Sequence, residues 1–103
     1  METQPPVDLQ KVSLITAFLR ERFPGYEIHT TYDTDRSAQF FHLALAGATA
    51  HRVYLAKEFL DDNPTSGLGA LLDDWQLDAR IRAAGAREVL VTNRGVSIPR
   101  MSE

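Results

Sequence analysis

Cysteine is absent from the 103-residue chain, which excludes a disulfide framework, a thiolate nucleophile and cysteine-ligated zinc. Long hydrophobic runs are missing too. The most apolar stretch, Phe40 to Ala50, is interrupted by His42, Gly47 and Thr49, far short of the ~20 residues that span a bilayer. Met1 to Gln10 is polar, contains Pro5 and Pro6, and lacks a basic region followed by an apolar core, so it does not read as a signal peptide. A cytoplasmic protein with no membrane contact is expected. There is no basic excess: eleven Lys and Arg face fourteen Asp and Glu, for a net charge of −3. Neutralising phosphates supplies most of a nucleic-acid binder's affinity, so the balance disfavours that class. Charge is distributed unevenly, with residues 57–78 acidic and residues 79–103 carrying five arginines. Such runs ordinarily form solvated faces.

What is present is the pattern of one α+β domain. Residues 1–7 read as a flexible lead, 8–99 as the domain and 100–103 as a tail. Asp8 can cap a helix whose stripe is Leu9, Val12, Ile15, Leu19 and Phe23, ended by Pro24-Gly25. Tyr26–Tyr32, Gln39–Ala46 and His51–Ala56 alternate with period two and are separated by turn residues, which predicts an antiparallel meander. Lys57–Asp62 is ambiguous, with room for one helical turn. Ser66 can then cap a second helix running to about Ala84. Its residues Leu68, Leu71, Leu72 and Trp75 fall on one side, and Leu77, Ile81 and Ala84 on nearly the opposite one. Either that helix is buried on two sides or it breaks near Asp73-Asp74. Glu88–Thr92 reads as a fourth strand, and Val96–Ile98 as a short return after Asn93-Arg94-Gly95. The expected order is α-β-β-β-α-β with a possible fifth strand, and both helices lie on one face of the sheet.

Matching apolar sides pairs Ile28 with Leu43 and Tyr26 with Leu45, and so His29 with His42 and Thr31 with Phe40. A three-residue Gly47-Ala48-Thr49 loop would then set Leu43 opposite Val53 and Phe41 opposite Leu55. One sheet face would hold Tyr26, Ile28, Tyr32, Phe41, Leu43, Leu45, Val53 and Leu55 against the helices. The other would hold Glu27, His29, Thr31, Phe40, His42, Ala44, Arg52 and Tyr54. That second face is too aromatic for plain solvent surface and too polar for core, a composition suited to contact. The alternative is that a terminal strand or the first helix covers part of it.

Few motifs carry chemistry. His29 and His42 could share a metal with Glu27 nearby, but no HExxH-like spacing supports it. Asp33-Thr34-Asp35 reads as a turn bonding its own backbone, and Ser66-Gly67-Leu68-Gly69 as a helix entry rather than a phosphate loop. No Gly-x-Ser-x-Gly or other nucleophile motif occurs. No catalytic residue, metal or cofactor is therefore assigned. Trp75 reads as a core or interface anchor.

The order helix, three strands, helix resembles that of double-stranded-RNA-binding domains, whose second helix begins with basic residues. Here Asn63 to Asp74 is acidic, so that activity does not carry over. With its further strands the order is also similar to small acidic secretion chaperones, which dimerise and hold unfolded partner segments. These likenesses cover element order over residues 8–98, and no family follows from them. The function expected is a non-enzymatic interaction or adaptor domain, homodimeric, docking a protein partner. Its surface would be His29, Phe40, His42, Arg52 and Tyr54, or the second helix around Trp75, Leu77 and Ile81. The alternatives are a single-stranded nucleic-acid module using Phe40, Tyr54, Arg52, Arg80, Arg82, Arg87 and Arg94, and a small enzyme or metal site at His29 and His42.

Overall fold

A computed structural model describes residues 6–99. Helix α1 spans Leu9–Arg22, and the Asp8 carboxylate accepts from the Gln10 amide at 2.9 Å, satisfying one of the donors a helix start leaves free. It ends where Phe23 donates back to Leu19 and Gly25 takes a φ of +86°. Strands β1 (Glu27–Asp33), β2 (Ala38–Leu45) and β3 (Ala48–Ala56) follow. Then come three helices, α2 (Lys57–Asp62), α3 (Thr65–Asp74) and α4 (Leu77–Ala84), and strands β4 (Glu88–Thr92) and β5 (Gly95–Ser97). The sheet order is β1-β2-β3-β4-β5, antiparallel except for the parallel pair β3–β4. Parallel neighbours need a crossover, and α2 to α4 supply it. This is a two-layer α+β domain with the expected element order.

The first hairpin pairs Ile28 with Leu43, His29 with His42 and Thr31 with Phe40, as the alternation predicts. Tyr26 lies just before β1, and Leu45 is 46% exposed instead of packed. The second hairpin differs from expectation. It closes on a two-residue Ala46-Gly47 turn, both residues at positive φ, the signature of a type I′ hairpin. A bulge between Thr49 and His51 then shifts the register by one, so Phe41 faces Val53 and Leu43 faces His51. Continued without the bulge, the Leu45–Ala48 and Ala44–Thr49 pairing would have set Arg52 against the buried Phe41. The extra residue Ala50 restores the face parity that keeps the charge out of the core. His51 consequently points inward, 8% exposed, with Nδ1 2.9 Å from the Gly85 carbonyl and its ring stacked near Tyr26 and Phe23. Gln39, the other buried polar residue, donates to the Thr30 hydroxyl at 2.8 Å. Among the described residues no buried polar side-chain atom lacks a partner.

The segment expected as one long helix is two. Helix α3 begins at Thr65 after Pro64, with Ser66 inside it and no side-chain cap. It stops at Trp75, Gln76 adopts the left-handed conformation (φ 54°, ψ 46°), and α4 starts at Leu77. The corner reorients the second apolar stripe. Leu68 and Leu72 of α3 and Leu77, Ile81 and Ala84 of α4 all enter the same core as Ile15, Leu19, Phe41, Val53, Val89 and Val91. Leu77 and Ile81 have no exposed surface, which corrects their expectation as an interface. An unbroken helix would have left them facing outward; the break buries them within the protomer. Trp75 is half-buried against Phe59, ring centroids 5.5 Å apart, and serves the core as an anchor at the corner.

Candidate interaction surface on the open sheet face

Strand pairing sorts the helix-free face into rows. One row runs His29, His42, Arg52, Glu88; the next runs Thr31, Phe40, Tyr54, Leu90, Ser97. Glu27, Ala44 and Thr49 form the row on the other side of the histidines. Period-two alternation within each strand makes the rows possible, and the Ala50 bulge brings Thr49 onto this face. Aromatic rings then run across the sheet without a break. His29 and His42 centroids lie 6.2 Å apart, His42 and Phe40 6.1 Å, and Phe40 stacks on Tyr54 at 4.6 Å. Phe40 is only half-buried. The His42 ring meets the Thr49 hydroxyl through Nε2 at 2.7 Å, which fixes its orientation.

Arg36, from the β1–β2 turn, determines how much of this face stays open. Its guanidinium sits 4.3 Å above the Tyr54 ring and donates to Glu88 at 2.7 Å. The turn is held by the Asp33 carboxylate, which accepts from the amides of Asp35 and Arg36. Tyr54 is thereby roofed and only 8% exposed. Burial pushes its phenol pKa up, and the nearby Arg36 charge offsets part of that rise. Glu88 is engaged by Arg36, so Arg52, its neighbour in the row, has no ion-pair partner among the described residues. What remains open is a depression of about 400 Å³ lined by His29, Thr31, Phe40, His42, Thr49 and Arg52. It is centred on β2.

Of the eight residues singled out from sequence, the structure gathers His29, Phe40, His42, Arg52 and Tyr54 on this face and sends Trp75, Leu77 and Ile81 to the opposite layer. Sequence reasoning missed three contributors: Arg36, Thr49 and Glu88. The Asp33–Ser37 turn could have flagged Arg36 as lying beside the face. Nothing in the sequence announces the bulge that places Thr49, or the parallel register that places Glu88.

The C-terminal arginines do not join the face. Arg80 donates to the Trp75 carbonyl, Arg82 to Asp78 and the Arg22 carbonyl, and Arg87 to the Ala83 and Ala84 carbonyls. They finish and brace helices. Arg94 sits in the β4–β5 turn beside Trp75, Gln76 and Arg80. The basic rim that a single-strand groove requires is thus dispersed. His29 lies 3.8 Å from Glu27, but among the described residues no three His, Asp or Glu side chains converge as a metal set. A larger depression of about 630 Å³, between Glu58 and the β4–β5 hairpin, is lined by Arg94 but by none of the other candidate residues. No helix among the described residues is long and apolar enough to cross a membrane.

No protein-family model, curated protein or solved structure matches this chain.

Proposed function

We propose that this protein is a small, non-enzymatic interaction domain that docks a protein partner on the open face of its sheet. The observation that carries this reading is the ring row His29–His42–Phe40, open on a face that no described helix covers and closed at its far end where Arg36 roofs Tyr54. Fully burying a phenylalanine side chain stabilises a contact by about 1.5–3 kcal/mol, and aromatic and arginine residues dominate the energetics of protein interfaces. Phe40 supplies the anchor, Arg52 a charge without an ion-pair partner among the described residues, and Thr31 and Thr49 a polar rim.

Photo-crosslinking in living cells tests the surface. A photoreactive residue at Thr31 should yield a protein adduct, identified by mass spectrometry, that Phe40→Glu abolishes. The same residue at Ser13, on the outer side of α1, should yield none. Equal labelling from the two positions, or no adduct at Thr31, would overturn the reading.

A further inference from the structure

We infer that the occupant of the open face is a second copy of this chain, related by a two-fold axis running along β2. The inference rests on the interaction reading above and adds the partner and the register. Two features of the face select this axis. Arg36 roofs the β4 side by lying across Tyr54 to Glu88, so the open patch is bounded by β1 and β3, with β2 at its centre. In addition, the patch carries one exposed acid on β1, Glu27, 3.8 Å from His29, and one exposed base on β3, Arg52, with no ion-pair partner among the described residues.

A two-fold axis across the strands would stack β1 on β1 and keep these charges apart. An axis along β2 exchanges β1 with β3. Glu27 then lies over Thr49 of the opposing β3, one row from Arg52. With facing sheets ~10 Å apart and rows ~6.8 Å apart, the backbones are separated by roughly 12 Å on the diagonal, a gap these two long side chains close. Symmetry repeats the contact, giving two reciprocal Glu27–Arg52 pairs on either side of Ala44 and His42, with Phe40 over Phe40 one row beyond. The axis also sets His42 over His42 and His29 over Arg52, contacts without like-charge repulsion while the imidazoles are neutral. The three open strands present roughly 350 Å² in projection on each copy, about 700 Å² for the pair and below the ~1,000 Å² of a stable complex, so the association is a weak, reversible one with a dissociation constant no tighter than about micromolar.

The two pairs make the register testable by charge exchange. Sedimentation velocity over a concentration series gives the dimer dissociation constant for wild type, Glu27→Arg, Arg52→Glu and the double variant. Each single reversal sets like charges together twice and should weaken the dimer by about ten-fold or more. The double variant restores both pairs with their signs exchanged and should recover wild-type affinity to within about three-fold. Circular dichroism confirms folding, since both side chains are exposed. If the single variants weaken the dimer and the double does not recover, the reciprocal pairing is wrong. If neither single variant changes it while Phe40→Glu dissociates it, the face associates in another register and the axis is overturned. A wild type monomeric throughout removes the second copy as occupant; the crosslinking at Thr31 then decides separately whether the face docks a different protein.

Discussion

Replacing Gln76 by glycine should stabilise the protein, although glycine is ordinarily a poor choice inside a helix. Gln76 holds φ 54° and ψ 46° at the corner between α3 and α4. For a residue with a Cβ that conformation costs roughly 1–2 kcal/mol. Glycine removes the strain and adds about 0.5–1 kcal/mol of chain entropy in the unfolded state. The difference leaves a net gain of roughly 0.5–1 kcal/mol, or a rise in Tm of about 2–8 °C for a domain of this size. The Gln76 side chain is exposed and makes no hydrogen bond among those described, so little is lost with it. Thermal melts followed by circular dichroism suffice as the assay. If α3 and α4 were one continuous helix, glycine at its middle would instead destabilise by about 1 kcal/mol relative to alanine. The two architectures predict opposite signs. A lower Tm for Gln76→Gly would refute the helix break, and with it the burial of Leu77 and Ile81.

Ile81→Ala should cost about 2–5 kcal/mol, because the side chain is fully buried against β3 and β4 and its removal leaves a cavity. The variant should melt at least ~10 °C lower with its self-association unchanged; a changed dissociation constant at unaltered Tm would place Ile81 on a surface. Ala46→Asn should raise stability by about 0.5–1 kcal/mol, since Ala46 occupies the positive-φ first position of a type I′ turn ahead of Gly47. Equal or lower stability in urea titration would show that the hairpin does not close on these two residues. Tyr54 provides a test at alkaline pH. Its folded-state pKa is raised by burial above the ordinary 10.0, so the contribution to stability is fully present below 10.0 and is lost as pH rises from there through the raised folded-state value. An absorbance titration should show a phenol step above the ordinary 10.0, and Tyr54→Phe should remove it. A late step that Tyr54→Phe leaves in place, or no late step at all, would show Tyr54 to be solvated.

Period-two alternation in β1 and β2 was enough to read their register and to place His29, His42 and Phe40 on a face away from the helices. Ile28, Tyr32, Phe41 and Leu43 mark one side strongly enough, despite Thr30 and Gln39 among them, and a slip of one residue would invert the whole strand. The same logic read the correct face of Arg52 and Tyr54 but missed the pairing of β3. Local pattern alone does not reveal whether a hairpin corrects parity by lengthening its loop or by inserting a bulge at Ala50. The second helix was legible as two opposed stripes, Leu68–Trp75 and Leu77–Ala84, without saying which resolution the chain adopts. Gln76 has no unusual propensity for the left-handed region, so its conformation follows from tertiary packing rather than from residue type. The surplus of apolar surface that suggested a helical interface vanishes once the corner turns both stripes inward. Arg36 escaped notice for a related reason: a turn residue's reach over a face depends on where Glu88 arrives, and Glu88 is brought there by a parallel crossover.

Light scattering behind size exclusion, on wild type and Phe40→Glu over a concentration series, addresses the open sheet face most directly. For wild type the mass should climb from 11.5 kDa towards twice that value as concentration rises from the micromolar range upwards. Phe40→Glu should remain at the monomer mass with an unchanged circular dichroism spectrum. A wild type that stays monomeric at every concentration, or a Phe40→Glu protein that dimerises as well as wild type, would contradict self-association through this face.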